Sequence, residues 1–116
     1  MNAAVIQGSA VTFECSSDVN DSVLYWYNSL CVTTSSSIGT CRDNLIHNGN
    51  VFISSLGQRS NVTKVNSDTL VTRDLNINSA QLTDAGVYLC VEFKPGFGVL
   101  DSSSAQLIVL GKLAIL

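Results

Sequence analysis

A chain of 116 residues has the length of one domain, and an apolar share of 46% is enough to build one core. Only 13% of residues are charged, for a net charge of -3 and a pI near 4.7. So few Lys and Arg leave no electrostatic footprint for nucleic acid or for an anionic membrane surface.

In chain order, Met1-Asn2-Ala3 does not begin a signal peptide, because no basic and then apolar region follows; the domain is read as cut from a longer precursor. Gly8-Ser9 is a turn before the first long strand, where Val11, Phe13 and Cys15 alternate with Thr12, Glu14 and Ser16. Asp18 to Ser22 separates it from a second, in which Leu24, Trp26 and Asn28 alternate with Tyr25, Tyr27 and Ser29. Cys31 and Cys41 then bracket a run of Thr, Ser and Gly, and Asn48-Gly49-Asn50 fits a tight hairpin. Leu75-Asn76-Ile77 and Tyr88-Leu89-Cys90-Val91 keep the alternation, Lys94 to Gly98 breaks it, and Ala105 to Val109 closes it. Short runs of period two between Gly, Asn, Asp and Ser clusters predict an all-β sandwich or barrel, and no stretch sustains a helical period. The only low-complexity patches are the serine runs at Ser35 to Ser37 and Ser102 to Ser104, and there is no internal repeat. Gly111 to Leu116 is apolar but far shorter than the roughly 20 residues of a membrane span. The domain is therefore placed at 1–110, with 111–116 as a linker or cloning remnant.

Four cysteines in a small Ser/Thr/Asn-rich chain point to an oxidising compartment and allow three pairings. Cys15 and Trp26 lie on successive strands, and Cys90 ends the stretch Asp84-Ala85-Gly86-Val87-Tyr88-Leu89-Cys90, a D-x-G-x-Y-x-C motif. On these residues the chain resembles the immunoglobulin superfamily from about Gly8 to Val109. The resemblance implies a disulfide from Cys15 to Cys90 across two packed sheets, with the Trp26 indole against it and the Tyr88 hydroxyl reaching back as a tyrosine corner. Such a bridge contributes about 2 to 4 kcal/mol. The stretch from Trp26 to Leu75 is too long for a seven-strand constant-type domain and has room for the extra C′ and C″ strands of a variable-type one. The expected fold is a V-set sandwich of about nine strands in two antiparallel sheets. Arg59 falls where V-set domains place the arginine that pairs with the motif aspartate, here Asp84; an exposed pair of this kind contributes about 0 to 1 kcal/mol and serves as a register marker.

Cys31 and Cys41 follow strand C and precede strand C′. The polymeric immunoglobulin receptor and the triggering receptors of myeloid cells join these strands by a second bridge, and Gly57-Gln58-Arg59-Ser60-Asn61-Val62-Thr63 is similar to a stretch of theirs. Those receptors place the first extra cysteine directly after the tryptophan, where this chain has Tyr27, so the implied bridge is displaced toward the C to C′ turn. Metal binding by Cys31 and Cys41 would need two further ligands.

No catalytic constellation assembles. His47 is read as a lone, solvent-exposed turn residue, the serine runs carry no nucleophile elbow, and no cofactor or metal is implied. With Trp26 and Cys90 pointing inward, Tyr25 and Tyr27 on strand C and Leu89, Val91 and Phe93 on strand F point outward. They are expected to form an apolar, aromatic patch on the GFCC′ face, unless the Cys31 to Cys41 loop and the F to G loop cover part of it. Such a patch marks a protein contact, and the resemblance implies that this face is the dimerisation and ligand face. Phe97, at the tip of the F to G loop, is a second candidate contact, and Pro95 limits that loop's freedom. Phe97-Gly98 is similar to the F-G-x-G of rearranged receptors, but Leu100 replaces the second glycine, which disfavours a rearranging antigen receptor.

Two glycosylation triplets occur, Asn20-Asp21-Ser22 and Asn61-Val62-Thr63; with Asn, Ser and Thr this abundant, about two arise by chance. Glycans on both would leave the GFCC′ face open. The expected protein is extracellular, at the cell surface or secreted, and binds another protein without catalysis. Homophilic adhesion or self-recognition through a weak homodimer comes first, since an apolar face with little charge can complement itself about a two-fold axis. Heterophilic immune recognition is second, and the departures from vertebrate receptors point to an invertebrate immune or allorecognition molecule. A carbohydrate- or small-molecule-binding module and a structural spacer are the readings from other classes.

Overall fold

The computed structural model describes residues 2–19, 21–28 and 45–111. Asn20, Cys31 and Cys41 lie outside them, and with them the expected second bridge and the first glycosylation triplet. The described residues form nine strands in two sheets. The five-stranded sheet has the order β1 (Ala3–Ile6), β9 (Gly98–Leu110), β8 (Gly86–Lys94), β4 (Val23–Asn28) and β5 (Leu45–His47). In the other, β7 (Val71–Ile77) pairs with β2 (Val11–Phe13) and β3 (Ser16–Ser17) on one side and β6 (Ser60–Asn66) on the other.

Period-two alternation sends Val11 and Phe13, Leu24 and Trp26, Leu75 and Ile77, Tyr88 and Cys90, and Ala105 and Leu107 into one shared core between the sheets. Phe13 stacks on Tyr88 with ring centroids 5.4 Å apart. At about 25 cal/mol per Å² of apolar surface removed from water, this layer is the main stabilising term.

The all-β sandwich of nine strands is as expected, but three details differ. First, β1 was not read from the sequence; it pairs in parallel with β9, Ala3 beside Leu107 through Ile6 beside Leu110, so the sheets are not purely antiparallel. Gly8, at φ 92°, then turns the chain across to β2 in the other sheet.

Second, the strand expected from Val11 to Ser16 is in two pieces. β2 and β3 keep one register on β7, but between them the Arg73 carbonyl accepts the Trp26 Nε1–H at 2.6 Å. The Cys15 N–H turns instead to the Asp74 carboxylate at 2.8 Å. One ladder bond is exchanged for a bond that ties the buried indole to the opposite sheet.

Third, the stretch in which C″ was expected carries the isolated bridge of His47 with Phe52 and a 3-10 turn at Ser55–Arg59. The count of nine is reached with the first long strand divided. Gly57 fits here because a Cβ at that position would lie 2.7 Å from the Phe52 side chain.

Candidate functional site

The scaffold of the site is the pair β4 and β8, which carry Trp26 and Cys90 at the same register position. Cys15 and Cys90 are disulfide-bonded across the sheets, with Cα atoms 6.5 Å apart. The Tyr88 hydroxyl donates to the Asp84 carbonyl at 2.6 Å, which fixes the turn entering β8. Burial, and then the Asp84 charge, pushes the Tyr88 phenol up to about 12.

The Arg59 guanidinium forks onto both carboxylate oxygens of Asp84, one of which also accepts the Gln81 N–H at 2.7 Å. The hydrogen bond to Asp84 raises the Arg59 pKa above its ordinary value. Asp84 is 6% exposed against 34% for the Arg59 side chain, so this pair is more than the exposed register marker expected. An acid this buried with a two-pronged partner is a structural tie.

Orientation on the outer face of the five-stranded sheet follows the sequence reading. Tyr25, Tyr27, Leu89, Val91 and Phe93 form a cluster separate from the main core, joined by Leu45 and Val99. Tyr25 lies opposite Val91, Tyr27 opposite Leu89, and Phe93 opposite Val23. The Phe93 ring meets Tyr25 edge-on at 4.9 Å.

Exposure differs from that reading. Tyr27 is 1% and Val91 0% exposed, which removes both from direct contact; Tyr25, Leu89 and Phe93 are half-buried and remain within reach. Leu45 and Val99 pack on the cluster from either side. Val99 is turned there by a bulge: Glu92 pairs with Asp101 but Phe93 with Val99, leaving Leu100 as the extra residue. The Tyr27 hydroxyl is buried without a hydrogen-bond partner among the described residues, and burial, with Tyr25 beside it, pushes the phenol up to about 12.

At the turn from β8 to β9 the Phe97 N–H donates to the Lys94 carbonyl at 2.9 Å, with Pro95 and Gly96 (φ 85°) at the corner. Phe97 is 71% exposed and the Lys94 ammonium sits 5.2 Å from its ring centre. This large apolar side chain stands beyond the end of the cluster on a stiff turn.

The outer face of the other sheet is mainly polar, with Val65 as an exposed apolar member. Thr12 donates to Asn76 at 2.7 Å, and Asn76 donates to Asn61 at 2.8 Å and to Thr63 at 2.9 Å. Asp74 and Lys64 add charge to the same sheet.

Two buried residues depart from what the sequence suggests. His47 is not an exposed turn residue: it is 2% exposed on β5, edge-on to Phe52 at 4.8 Å, and its Nδ1 accepts the Gly49 N–H at 3.0 Å. Burial, then the charges of Lys64 and Arg73, lowers its pKa to about 4. Arg73 points inward between Val71 and Leu75 and is 8% exposed. It donates to the carbonyls of Gly49 at 2.7 Å and Thr72 at 2.7 Å and to the Asn66 amide oxygen at 2.8 Å, while burial lowers its pKa. An arginine at an inward position of an alternating strand was the available signal. Among the described residues, no three His, Cys, Asp or Glu side chains gather as a metal site, and no helix is long and apolar enough to cross a membrane.

No family model and no characterised protein matches the chain by sequence. Solved structures do. The human T-cell immunoglobulin and mucin domain protein 1 superposes with a TM-score of 0.69 at 20% identity, over 96% of this chain and 98% of that one. The first immunoglobulin domain of RIG-5, solved as a homodimer, gives 0.66 at 16% identity over 94% and 89%. The fold is immunoglobulin-like. Dpr2 Ig1-Ig2 in complex with DIP-Theta Ig1-Ig3 gives 0.65 at 20% identity, over 94% of this chain and 30% of that longer one. Immunoglobulin-like domains of this architecture thus include ones solved in complexes with other proteins or with themselves.

Proposed function

We propose that this immunoglobulin-like domain is an extracellular, non-catalytic recognition module that binds a protein through the outer face of β9, β8, β4 and β5, the GFCC′ face of a V-set domain. Its partner is first a second copy of itself, in cell adhesion or self-recognition of the immune or allorecognition kind; a different surface protein is the second reading. The observation that carries this is the asymmetry of the two outer faces. One has an apolar layer with Tyr25, Leu89 and Phe93 half-exposed. The other is mainly a hydrogen-bonded array of Thr and Asn, with Val65 as a single apolar residue at its end and no aromatic ring among the described residues. A half-open aromatic layer seated on a closed one offers rigid anchors that lose little entropy on docking. The exposed Phe97 beyond it extends the surface, and an apolar tip of this kind speaks against a sugar-binding loop end.

Sedimentation velocity over a rising concentration series tests the reading, with Phe93→Lys and Phe97→Asp alongside wild type. Wild type should self-associate, and each charge should weaken association about tenfold or more. Weak pairing would still show as clumping of beads that carry many copies. A wild type that stays monomeric, on beads that do not clump, refutes the homophilic reading. Association that both variants leave unchanged refutes this face.

A further inference from the structure

We infer that Asn61 is an N-glycan acceptor, and that its glycan covers the outer face and free edge of the four-stranded sheet. Asn61-Val62-Thr63 lies on β6, which among the described residues pairs with β7 alone and leaves its other side open. Val62 faces the core, so Asn61 and Thr63 both point outward on the same face, and both are exposed. The amide of Asn76 on the neighbouring strand bonds both ends of the triplet, donating to Asn61 Oδ1 at 2.8 Å and to Thr63 Oγ1 at 2.9 Å.

That arrangement occupies the oxygen of Asn61 and leaves its nitrogen. Nδ2 reaches Asn78 Oδ1 only at 3.4 Å, the weak end of a hydrogen bond, and one N–H suffices to keep it. The nitrogen that must carry the sugar is therefore held, among the described residues, by a single long hydrogen bond. The Cys15–Cys90 disulfide supports folding in the oxidising compartment where oligosaccharide is transferred to such triplets. In that transfer the donor is an oligosaccharide on a polyisoprenoid diphosphate. The bond from Nδ2 to the anomeric carbon forms as the anomeric carbon–oxygen bond breaks. The diphosphate leaves with the electron pair, and Nδ2 loses one proton.

Two consequences of position follow. The open side of β6 is a template for unwanted strand pairing, protected among its own side chains mainly by Lys64, and a bulky sugar at Asn61 closes it. The glycan also removes the Thr and Asn face from protein contact, leaving the aromatic face bare. This assignment does not rest on the proposed partner and stands or falls separately.

The test is secretion of the chain from a eukaryotic host that glycosylates, followed by peptide mass spectrometry. Enzymatic deglycosylation in heavy-oxygen water marks each occupied Asn as a labelled Asp. Asn61 should carry the label, Thr63→Ala should lose it, and Thr63→Ser should retain it, with Asn20→Gln leaving Asn61 unaffected. An unlabelled Asn61 in secreted, disulfide-bonded wild type overturns the proposal, as does labelling that survives Thr63→Ala. If Thr63→Ala is not secreted, the wild-type and Thr63→Ser maps decide between the same two outcomes.

Discussion

Lowering the pH from 7 to 4 is expected to destabilise the domain through His47, because the folded state holds this imidazole neutral beneath Phe52 and beside the cations Lys64 and Arg73. Its pKa is about 4 when folded and 6.5 when free, so the unfolded chain binds more protons between those values. Stability from this residue is fully present above about pH 6.5, falls as the pH drops through the window, and is gone below about pH 4. The gap corresponds to about 3 kcal/mol, a large share of a net stability of about 5 to 15 kcal/mol. Urea denaturation followed by Trp26 fluorescence, at half-unit pH steps, measures it. Carboxylates titrate at the lower end of the window as well, so the decisive quantity is the difference between wild type and His47→Gln, which removes the imidazole and leaves them in place. Wild type should lose about 3 kcal/mol more than the variant across the window. Parallel curves for the two proteins would refute the reasoning, since an imidazole that titrates normally in the fold contributes no slope.

The same substitution should have opposite signs at two tyrosines. Tyr88→Phe deletes the bond to the Asp84 carbonyl and should destabilise by about 1 kcal/mol, whereas Tyr27→Phe deletes a buried hydroxyl with no partner among the described residues and should be neutral or stabilising by up to about 1 kcal/mol in the same denaturation assay. Arg59→Ala should destabilise by about 2 kcal/mol, because it leaves the buried Asp84 carboxylate short of its strongest donor; a thermal melt unchanged from wild type would show that the tie contributes nothing.

The legible part of this molecule is what period two and a fixed motif decide. Cys15, Trp26, Tyr88 and Cys90 each sit on an alternating run, so their inward direction, and the outward direction of Tyr25, Tyr27, Leu89, Val91 and Phe93, follow from parity alone. Exposure does not follow from parity. Tyr27 and Val91 are closed off within a cluster that includes Leu45 and Val99, residues on the two flanking strands, the second aimed there by a bulge that no local signal announces. His47 looked like a turn residue because Asn48-Gly49-Asn50 is a turn; its burial comes from Phe52 folding back across that hairpin. The break between β2 and β3 was illegible for a similar reason, since it depends on which strand's carbonyl the indole finds. β1 escaped notice because Ala-Ala-Val-Ile has no alternation, and its pairing partner lies at the far end of the chain.

The parallel pairing of β1 with β9 bears on mechanics. Ala3 lies beside Leu107 and Ile6 beside Leu110, so a tension applied at the two ends of the domain pulls the strands past each other along their length. The bonds of that ladder are then loaded together and not peeled one at a time, which raises the force needed for rupture while the equilibrium stability stays as it was. For a domain proposed to hold one surface to another, resistance to pulling is the relevant strength, and here it resides in the four-residue terminal strand β1, away from the aromatic face that would do the binding.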